Sequence, residues 1–268
     1  MTTGSSNVGV GTNALGAMTT GVANVVVGEN SGASLTGEQA NTYIGHNAGR
    51  FLDDGASNVA IGYLSMSGTS GTSSNNALYN VAVGRNSLLS ITTGDDNVAV
   101  GYNAGTAMTS NVNNVIIGSD AFKTANSGEA NNIVIGRGAG ELIDSTTCDD
   151  NVIIGMEAGR TGTNTMSRNV AIGRDAMKSI GNNPHTGTVA IGGIALTALT
   201  SGTANTAIGY LAGESLTTGG SNTIMGYDAF KTADGGEDRN VIIGKDAGKY
   251  INNDNADNNV IIGEAAGS

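Results

Sequence analysis

The stretch Asn151-Val152-Ile153-Ile154-Gly155 carries the pattern that decides the fold of this chain. An asparagine precedes three aliphatic residues and a glycine, and a small residue, Ala158, stands three positions after the glycine. The unit recurs fifteen times in 268 residues, in steps of 17 to 19 residues apart from one step of 22. Its glycines are Gly11, Gly28, Gly45, Gly62, Gly84, Gly101, Gly118, Gly136, Gly155, Gly173, Gly192, Gly209, Gly226, Gly244 and Gly263. Such self-similarity is typical of a repeat architecture.

Each aliphatic run is short, rich in β-branched residues and bounded by turn formers, which predicts a brief strand. The density of glycine and β-branched residues, with no sustained apolar spacing of 3.6, excludes helices. Stacking of like strands from successive repeats gives parallel sheets. We therefore predict an all-β fold, a parallel β-solenoid of about fifteen coils that forms one repeat domain over residues 1–268. A second apolar position, seven residues after most of the glycines, predicts a second strand in each coil.

An asparagine stands four positions before the glycine in every repeat except one, where Thr188 replaces it. Stacked amides can hydrogen-bond to one another and to the adjacent backbone, so we interpret this column as a structural ladder. The alternative is a column of ligands or glycosylation sites, but Asn-x-Ser/Thr is rare here. Ladder members include Asn58, Asn97, Asn114, Asn151, Asn169, Asn205, Asn240 and Asn259.

The two faces of each strand are both apolar. Residues one and three before the glycine, such as Val152 and Ile154, share a face by the two-residue period, and we expect them to fill the coil interior. The residue between them, such as Ile153, should then point outward, although it is never charged. Strands that are apolar on both faces are normally covered on both. The pattern therefore predicts a homo-oligomer, and a parallel homotrimer first.

Two sequence details support a stacked core. In two repeats the second apolar position is a small residue, Ala125 or Ala233. In the same two repeats the residue four after the glycine is large, Phe122 or Phe230, so the volume lost at one position is restored at its neighbour. Residues 119–144 also resemble residues 227–252, a duplication that suits a fold built by copying coils.

Composition narrows the function. The chain has 43 glycines, one proline, no tryptophan and a net charge of −11, and its basic residues are scattered singly. Binding a phosphate backbone needs clustered Lys and Arg, so nucleic acid is excluded as a partner. The N-terminal residues contain no signal peptide, and no stretch is apolar enough for membrane insertion. We therefore expect synthesis and folding in the cytoplasm.

Residues for catalysis are few. His46 and His185 lie in unrelated settings, and no nucleophile and base share a local signature, so we expect no enzymatic activity and no cofactor. Paired acids at Asp53-Asp54, Asp95-Asp96 and Asp149-Asp150 suggest calcium, but we favour solvated turn acids and predict no metal site.

Recognition of a partner is expected at outward positions. The residue after the glycine varies freely and is often Tyr or Arg; these side chains could contact glycans, but we favour scattered exposed side chains without a binding role. Insertions over residues 67–79 and 181–187 are better candidates, because loops on rigid scaffolds often carry function, and we predict that three copies of them bind a host-surface polysaccharide with avidity. The candidate receptor contacts are Tyr79, Pro184, His185, Tyr210 and Tyr227.

The unit Asn-Val-Ala-Ile-Gly-x-x-Ala, as in residues 169–176, resembles the head repeat of trimeric autotransporter adhesins. That resemblance implies a left-handed coil and a homotrimer. Residues 205–219, Asn-Thr-Ala-Ile-Gly-Tyr-Leu-Ala-Gly followed by Leu-Thr-Thr-Gly, are similar to repeats of phage tail fibres. The resemblance covers essentially the whole chain.

These observations predict a structural and adhesive segment of a virion appendage, a phage tail fibre, that contributes to host attachment. Its partners would be sister copies, other fibre components and a host-surface glycan or other receptor. It would be located in the virion after assembly in the host cytoplasm. An exported adhesin on a bacterial surface is the alternative. A trimeric left-handed β-helix acyltransferase is a third reading, but the sequence lacks sustained hexads and a convincing catalytic histidine.

Overall fold

The computed structural model describes residues 3–71, 75–126, 128–160, 166–179 and 185–268. The chain divides into two compact units, Met1–Asn131 and Asn132–Ser268. Every regular element in the described ranges is a β-strand, and neighbouring strands pair in parallel. The predicted all-β, parallel β-solenoid is therefore confirmed.

The described residues of the first unit form seven strands of three residues each, one before each repeat glycine. Each strand pairs with the next in register, so that Val81, for example, lies opposite Val98. The strands are β1 (Val8–Val10), β2 (Val25–Val27), β3 (Thr42–Ile44), β4 (Val59–Ile61), β5 (Val81–Val83), β6 (Val98–Val100) and β7 (Val115–Ile117).

The second unit repeats the arrangement and adds a short second sheet. Its strands are β8 (Ile133–Ile135), β9 (Val152–Ile154), β10 (Met166–Ser167), β11 (Val170–Ile172), β12 (His185–Thr186), β13 (Val189–Ile191), β14 (Thr206–Ile208), β15 (Thr223–Met225), β16 (Val241–Ile243) and β17 (Val260–Ile262). Among the described residues, β10 pairs with β12 alone, and the other eight strands form one in-register series.

The assignment of the strand faces from the sequence was wrong. The central residue of the strand, such as Ala82 or Ile153, is fully buried, whereas the flanking Val and Ile residues lie on the outer face. The two-residue period was correct, but the thin interior is filled by the central residue together with the residue four after the glycine. In the coil whose central residue is Ala82, the residue four after the glycine is Leu88. In the coil whose central residue is Tyr43, that residue is Gly49.

Tyr43 shows how tight this interior is. A Cβ atom added at Gly49 would lie 2.3 Å from the Tyr43 ring, so the ring occupies the space that a side chain would need. Phe122, Phe230, Ala125 and Ala233 are all buried, which is consistent with the exchange of volume seen in the sequence. In a core packed this densely, the size of one buried side chain limits the size of its neighbours.

The second apolar position is buried as expected, for example at Leu35 and Met108, but it is not in a strand. The predicted second strand is therefore wrong at that position. The chain there forms turns, and a second pairing occurs instead just before the asparagine, as in the bridge between Ser5 and Val22. The glycine-rich turns change the direction of the chain within a few residues, which leaves too few residues for another full strand.

The repeat glycines are required by the spacing between coils. Gly101 has φ +140°, and a Cβ added there would lie 2.5 Å from the carbonyl oxygen of Gly118 in the next coil. Only a residue without a side chain tolerates both the backbone conformation and the approach of the neighbouring backbone. Equivalent glycines in other coils, such as Gly209 against Gly226, meet the same contact.

The asparagine column forms a chain of buried amides. Asn97 is representative: its backbone N–H donates to Asn80 Oδ1 over 2.9 Å, and its own Oδ1 accepts the backbone N–H of Asn114 over 3.0 Å. Its Nδ2 donates to Asn80 Oδ1 over 3.0 Å and to the carbonyl of Asn111, in the next coil, over 2.7 Å. Each amide therefore joins its own coil to the coils before and after it.

The same bonds occur in both units. In the first unit they run from Asn7 to Asn114, and Asn58 Oδ1, for example, accepts the backbone N–H of Asn80 over 2.9 Å. In the second unit Asn151, Asn169, Asn222, Asn240 and Asn259 each donate a backbone N–H to the preceding asparagine, over 2.9 to 3.0 Å. Asn205 is the acceptor for Asn222 in that series.

Candidate functional site

The residue that follows each repeat glycine lies on the outside of its coil, and we call this row the post-glycine column. In the first unit it contains His46, Tyr63, Arg85 and Tyr102 in four consecutive coils. The His46 and Tyr63 rings stack with centroids 5.3 Å apart and an interplanar angle of 6°. Arg85 Cζ lies 5.4 Å from the Tyr63 ring centroid and 6.0 Å from that of Tyr102.

The solenoid itself creates this continuous surface. Parallel strands lie about 4.8 Å apart, which is close to the distance at which aromatic rings stack. Residues that are 17 or 22 apart in sequence thus become neighbours, and the guanidinium of Arg85 lies between two tyrosines. About half of the Tyr63 and Tyr102 surface stays exposed, at 45% and 48%. The four residues form an aromatic and cationic patch that is open to solvent.

A shorter aromatic patch occurs in the second unit. Tyr210 and Tyr227 stack with centroids 5.6 Å apart and an interplanar angle of 25°. Gly193, in the preceding coil, leaves room for the Tyr210 ring, because a Cβ there would lie 3.2 Å from it. Both tyrosines are exposed, as the sequence predicted for outward positions, and the structure brings them together.

The other candidate contacts have different settings. Tyr79 is 60% exposed but precedes the ladder asparagine Asn80, outside the post-glycine column. Pro184 lies outside the described residues.

His185 was wrongly placed on the recognition surface, because its side chain is fully buried in β12. Its Nδ1 lies 3.2 Å from the carbonyl oxygen of Gly202, and burial lowers the pKa of the imidazole. A buried, uncharged imidazole that packs between coils cannot contact a receptor on the surface. No sequence signal warned of this burial, since a histidine beside a predicted loop is usually exposed.

The insertion over residues 67–79 is anchored to the preceding coil. Asn75 is buried, its backbone N–H donates to Asp53 Oδ1 over 2.9 Å, and its Nδ2 donates to the Phe51 carbonyl over 2.6 Å. Residues 72–74 of this insertion and residues 181–184 of the other are outside the described part of the chain. Whether either loop binds a receptor stays a prediction.

The paired acids act in turns. Asp53 Oδ1 accepts the N–H of Asn75, and Asp95 Oδ1 accepts the N–H of Leu78 over 2.7 Å. Asp54 and Asp96 are exposed. These contacts fit the interpretation as turn residues, since Asp side chains commonly bond to nearby backbone N–H groups.

Sequence reasoning missed a set of ion pairs, some within one coil and some between neighbouring coils. Acids two positions after the glycine pair with bases five positions after it, as in Asp246 and Lys249, whose Oδ1 and Nζ are 2.8 Å apart. Lys249 Nζ also lies 2.8 Å from Asp228 Oδ2 in the preceding coil, and this contact is the largest cause that raises the pKa of Lys249. The recurrence of this spacing in several repeats was the signal that could have revealed them.

Glu157 is the centre of one such network. Lys178 Nζ lies 2.7 Å from its Oε2, Arg160 Nη1 lies 3.4 Å from Oε2, and Arg137 Nη2 lies 3.7 Å from Oε1. The hydrogen bond from Lys178, with the charges of all three bases, lowers the pKa of Glu157 below its ordinary value of 4.5.

Comparisons with known proteins give no match to this chain among family models, curated proteins or solved structures. In the part of the chain that the structure describes, no helix has the length and apolar character that crossing a membrane requires.

Replacing Glu157 with Gln should lower the melting temperature at pH 7 by about 2–4 °C, because three cations lose their shared partner. A carboxylate with a lowered pKa in the folded chain stabilises the fold above its unfolded pKa, and that stabilisation is lost as the pH falls through the folded pKa. The difference between the two proteins should therefore shrink below the ordinary pKa of 4.5. Thermal unfolding followed by circular dichroism at several pH values measures it.

Asp54→Asn, a change at an exposed turn acid, is the control and should leave the melting temperature nearly unchanged at pH 7. A deficit in Glu157→Gln that stays constant down to about pH 2 would contradict the assigned role of Glu157.

Proposed function

We propose that this chain is a structural and adhesive fibre segment of a virion appendage, a phage tail fibre, which works as a parallel homotrimer in attachment to the host surface. The observation that carries the proposal is the outer face of the strands. Two columns of Val and Ile extend along each unit without a charged residue, and across both units only three Thr and one Met interrupt them.

This aliphatic face is exposed in the single chain. Ile61 and Ile117 in the first unit are 37% and 39% exposed. Covering a side chain of this kind contributes roughly 1 kcal/mol, and the contribution recurs in every coil. A contiguous apolar surface of that extent is typical of an interface in a soluble protein.

A sister copy is the partner that fits the face best. The face repeats with the spacing of the coils, and a second copy presents the same spacing, so every coil finds an equivalent coil. The borders of the face are polar: the post-glycine column lies on one side, and the residues before the ladder asparagines, such as Ser57 and Asp96, lie on the other. The resemblance to trimeric adhesin heads favours three copies about one axis.

Attachment is assigned to the post-glycine column. Tyr63 and Tyr102 keep about half of their surface open for contact with the apolar side of a sugar, and Arg85, which lies between them, offers donors for sugar hydroxyl or carboxylate oxygens. The spacing between coils places these groups along one line, which suits an extended polysaccharide. Three copies of a weak site on one fibre would bind with increased avidity.

Introducing charge into the aliphatic face should prevent assembly. We expect the wild-type chain to sediment as a trimer and the double variant Ile61→Glu, Ile117→Glu to sediment as a monomer, because two desolvated carboxylates in the interface cost more than the apolar contacts contribute. Analytical ultracentrifugation at micromolar concentration measures this, and circular dichroism checks that the β-structure is retained.

The matched control is Thr93→Glu, which adds charge at an exposed position away from the face and should remain trimeric. A wild-type chain that stays monomeric, or a double variant that assembles normally, would refute the proposed role of the face.

Glycan binding should depend on the aromatic and cationic patch. We expect wild-type protein to bind bacterial surface polysaccharides on an array, and Tyr63→Ala with Arg85→Ala to reduce that binding by about tenfold, or roughly 1.4 kcal/mol. Tyr79→Ala removes an exposed tyrosine outside the column and should bind as wild type. Equal binding by all three proteins would show that attachment uses another surface.

A further inference from the structure

Three carboxylates converge at the turn between two coils of the second unit. Asp234, Glu237 and Asp254 each place a carboxylate oxygen within 4.8 Å of the others. Asp234 and Glu237 precede the ladder asparagine Asn240, and Asp254 precedes Asn259 in the following coil. Oxygen atoms from two successive coils thus surround one small volume.

Glu237 is the unusual member, because its side chain is fully buried. Its Oε2 accepts the backbone N–H of Gly235 over 3.1 Å, but its Oε1 is buried without a hydrogen-bond partner in the described part of the chain. A buried carboxylate oxygen without a partner is costly, and such a group usually pairs with a cation or coordinates a metal.

The internal duplication provides a comparison within the same protein. Glu129 is the equivalent of Glu237 in the first copy, and its Oε2 accepts a hydrogen bond from the side-chain amide of Asn111. In the second copy the position of Asn111 is taken by Gly219, which has no side chain to donate, and the position of Asn126 is taken by Asp234. The second copy therefore lacks the amide and gains negative charge.

In the described part of the second unit, no lysine or arginine takes the place of that amide. Among the ion pairs of the described residues, none includes Asp234, Glu237 or Asp254. Arg239, close by in sequence, pairs with Asp238 and Asp257 instead.

We propose that Asp234, Glu237 and Asp254 bind a hard divalent cation, calcium first, which links two successive coils. An all-oxygen ligand set suits calcium or magnesium and does not favour zinc, which prefers nitrogen and sulfur ligands. Calcium fits better than magnesium because two of the three acids are exposed and adaptable, whereas magnesium demands strict octahedral geometry. The exposed side leaves room for water to complete the coordination. This site is separate from the proposed attachment surface.

Isothermal titration of calcium chloride into the full chain, freed of metal by EDTA and desalted, tests the proposal. We expect one saturable site and a rise in melting temperature with calcium. Asp254→Asn and Glu237→Gln should each weaken binding by about tenfold or more, since each removes a charged ligand. Asp254 is exposed, so its variant should fold normally even if the change at buried Glu237 disturbs the core.

Glu129→Gln is the matched control in the first copy and should bind calcium as wild type does. Absence of saturable binding, or binding that Asp254→Asn leaves unchanged, would overturn the site. Binding of magnesium but not calcium under the same conditions would overturn the choice of calcium.

Discussion

The hydrogen-bonded asparagine column is the constraint on which the rest of the structure depends. Each amide uses its oxygen and nitrogen to join neighbouring coils, and these groups are buried where water cannot replace a lost bond. The column therefore fixes the register in which one coil stacks on the next. Once the coils are that close, the backbone of each repeat glycine meets the backbone of the next, and only glycine is tolerated there.

Because successive coils stack in register, each repeated position of the sequence forms a surface of uniform chemistry. Residues that occupy the same position in successive coils become contiguous, which produces the aliphatic face, the stacked rings at Tyr63 and Tyr210, and the ion pairs around Glu157. Each surface has a different physical role: the aliphatic face is suited to burial against a partner, the stacked rings stay about half exposed to solvent, and the ion pairs join neighbouring coils. A solenoid can acquire these roles independently, because a change at one position of the coil leaves the others in place.

Features that repeat could be predicted from the sequence, and features that depend on packing between unlike positions could not. The strands and the amide column each follow from a pattern that recurs along the chain, with Asn at its position in fourteen of the fifteen repeats. The strand faces were misjudged because Val and Ile were assumed to point inward. The exchange between the central residue and the residue four after the glycine, Ala82 with Leu88 and Tyr43 with Gly49, was visible in the sequence and would have corrected this. The burial of His185 and the cluster around Glu237 depend on single positions, so no repeat pointed to them.

The exception in the amide column gives the most direct measurement of the central claim. Thr188 donates its backbone N–H to Asn169 Oδ1 over 2.9 Å, but its buried Oγ1 has no hydrogen-bond partner among the described residues. If the column fixes the stack, urea unfolding of Thr188→Asn should show a gain of about 1 kcal/mol in free energy, and Asn97→Thr a loss of about 2–3 kcal/mol. Values within about 0.5 kcal/mol of wild type for both variants would mean that the column follows the fold and does not determine it.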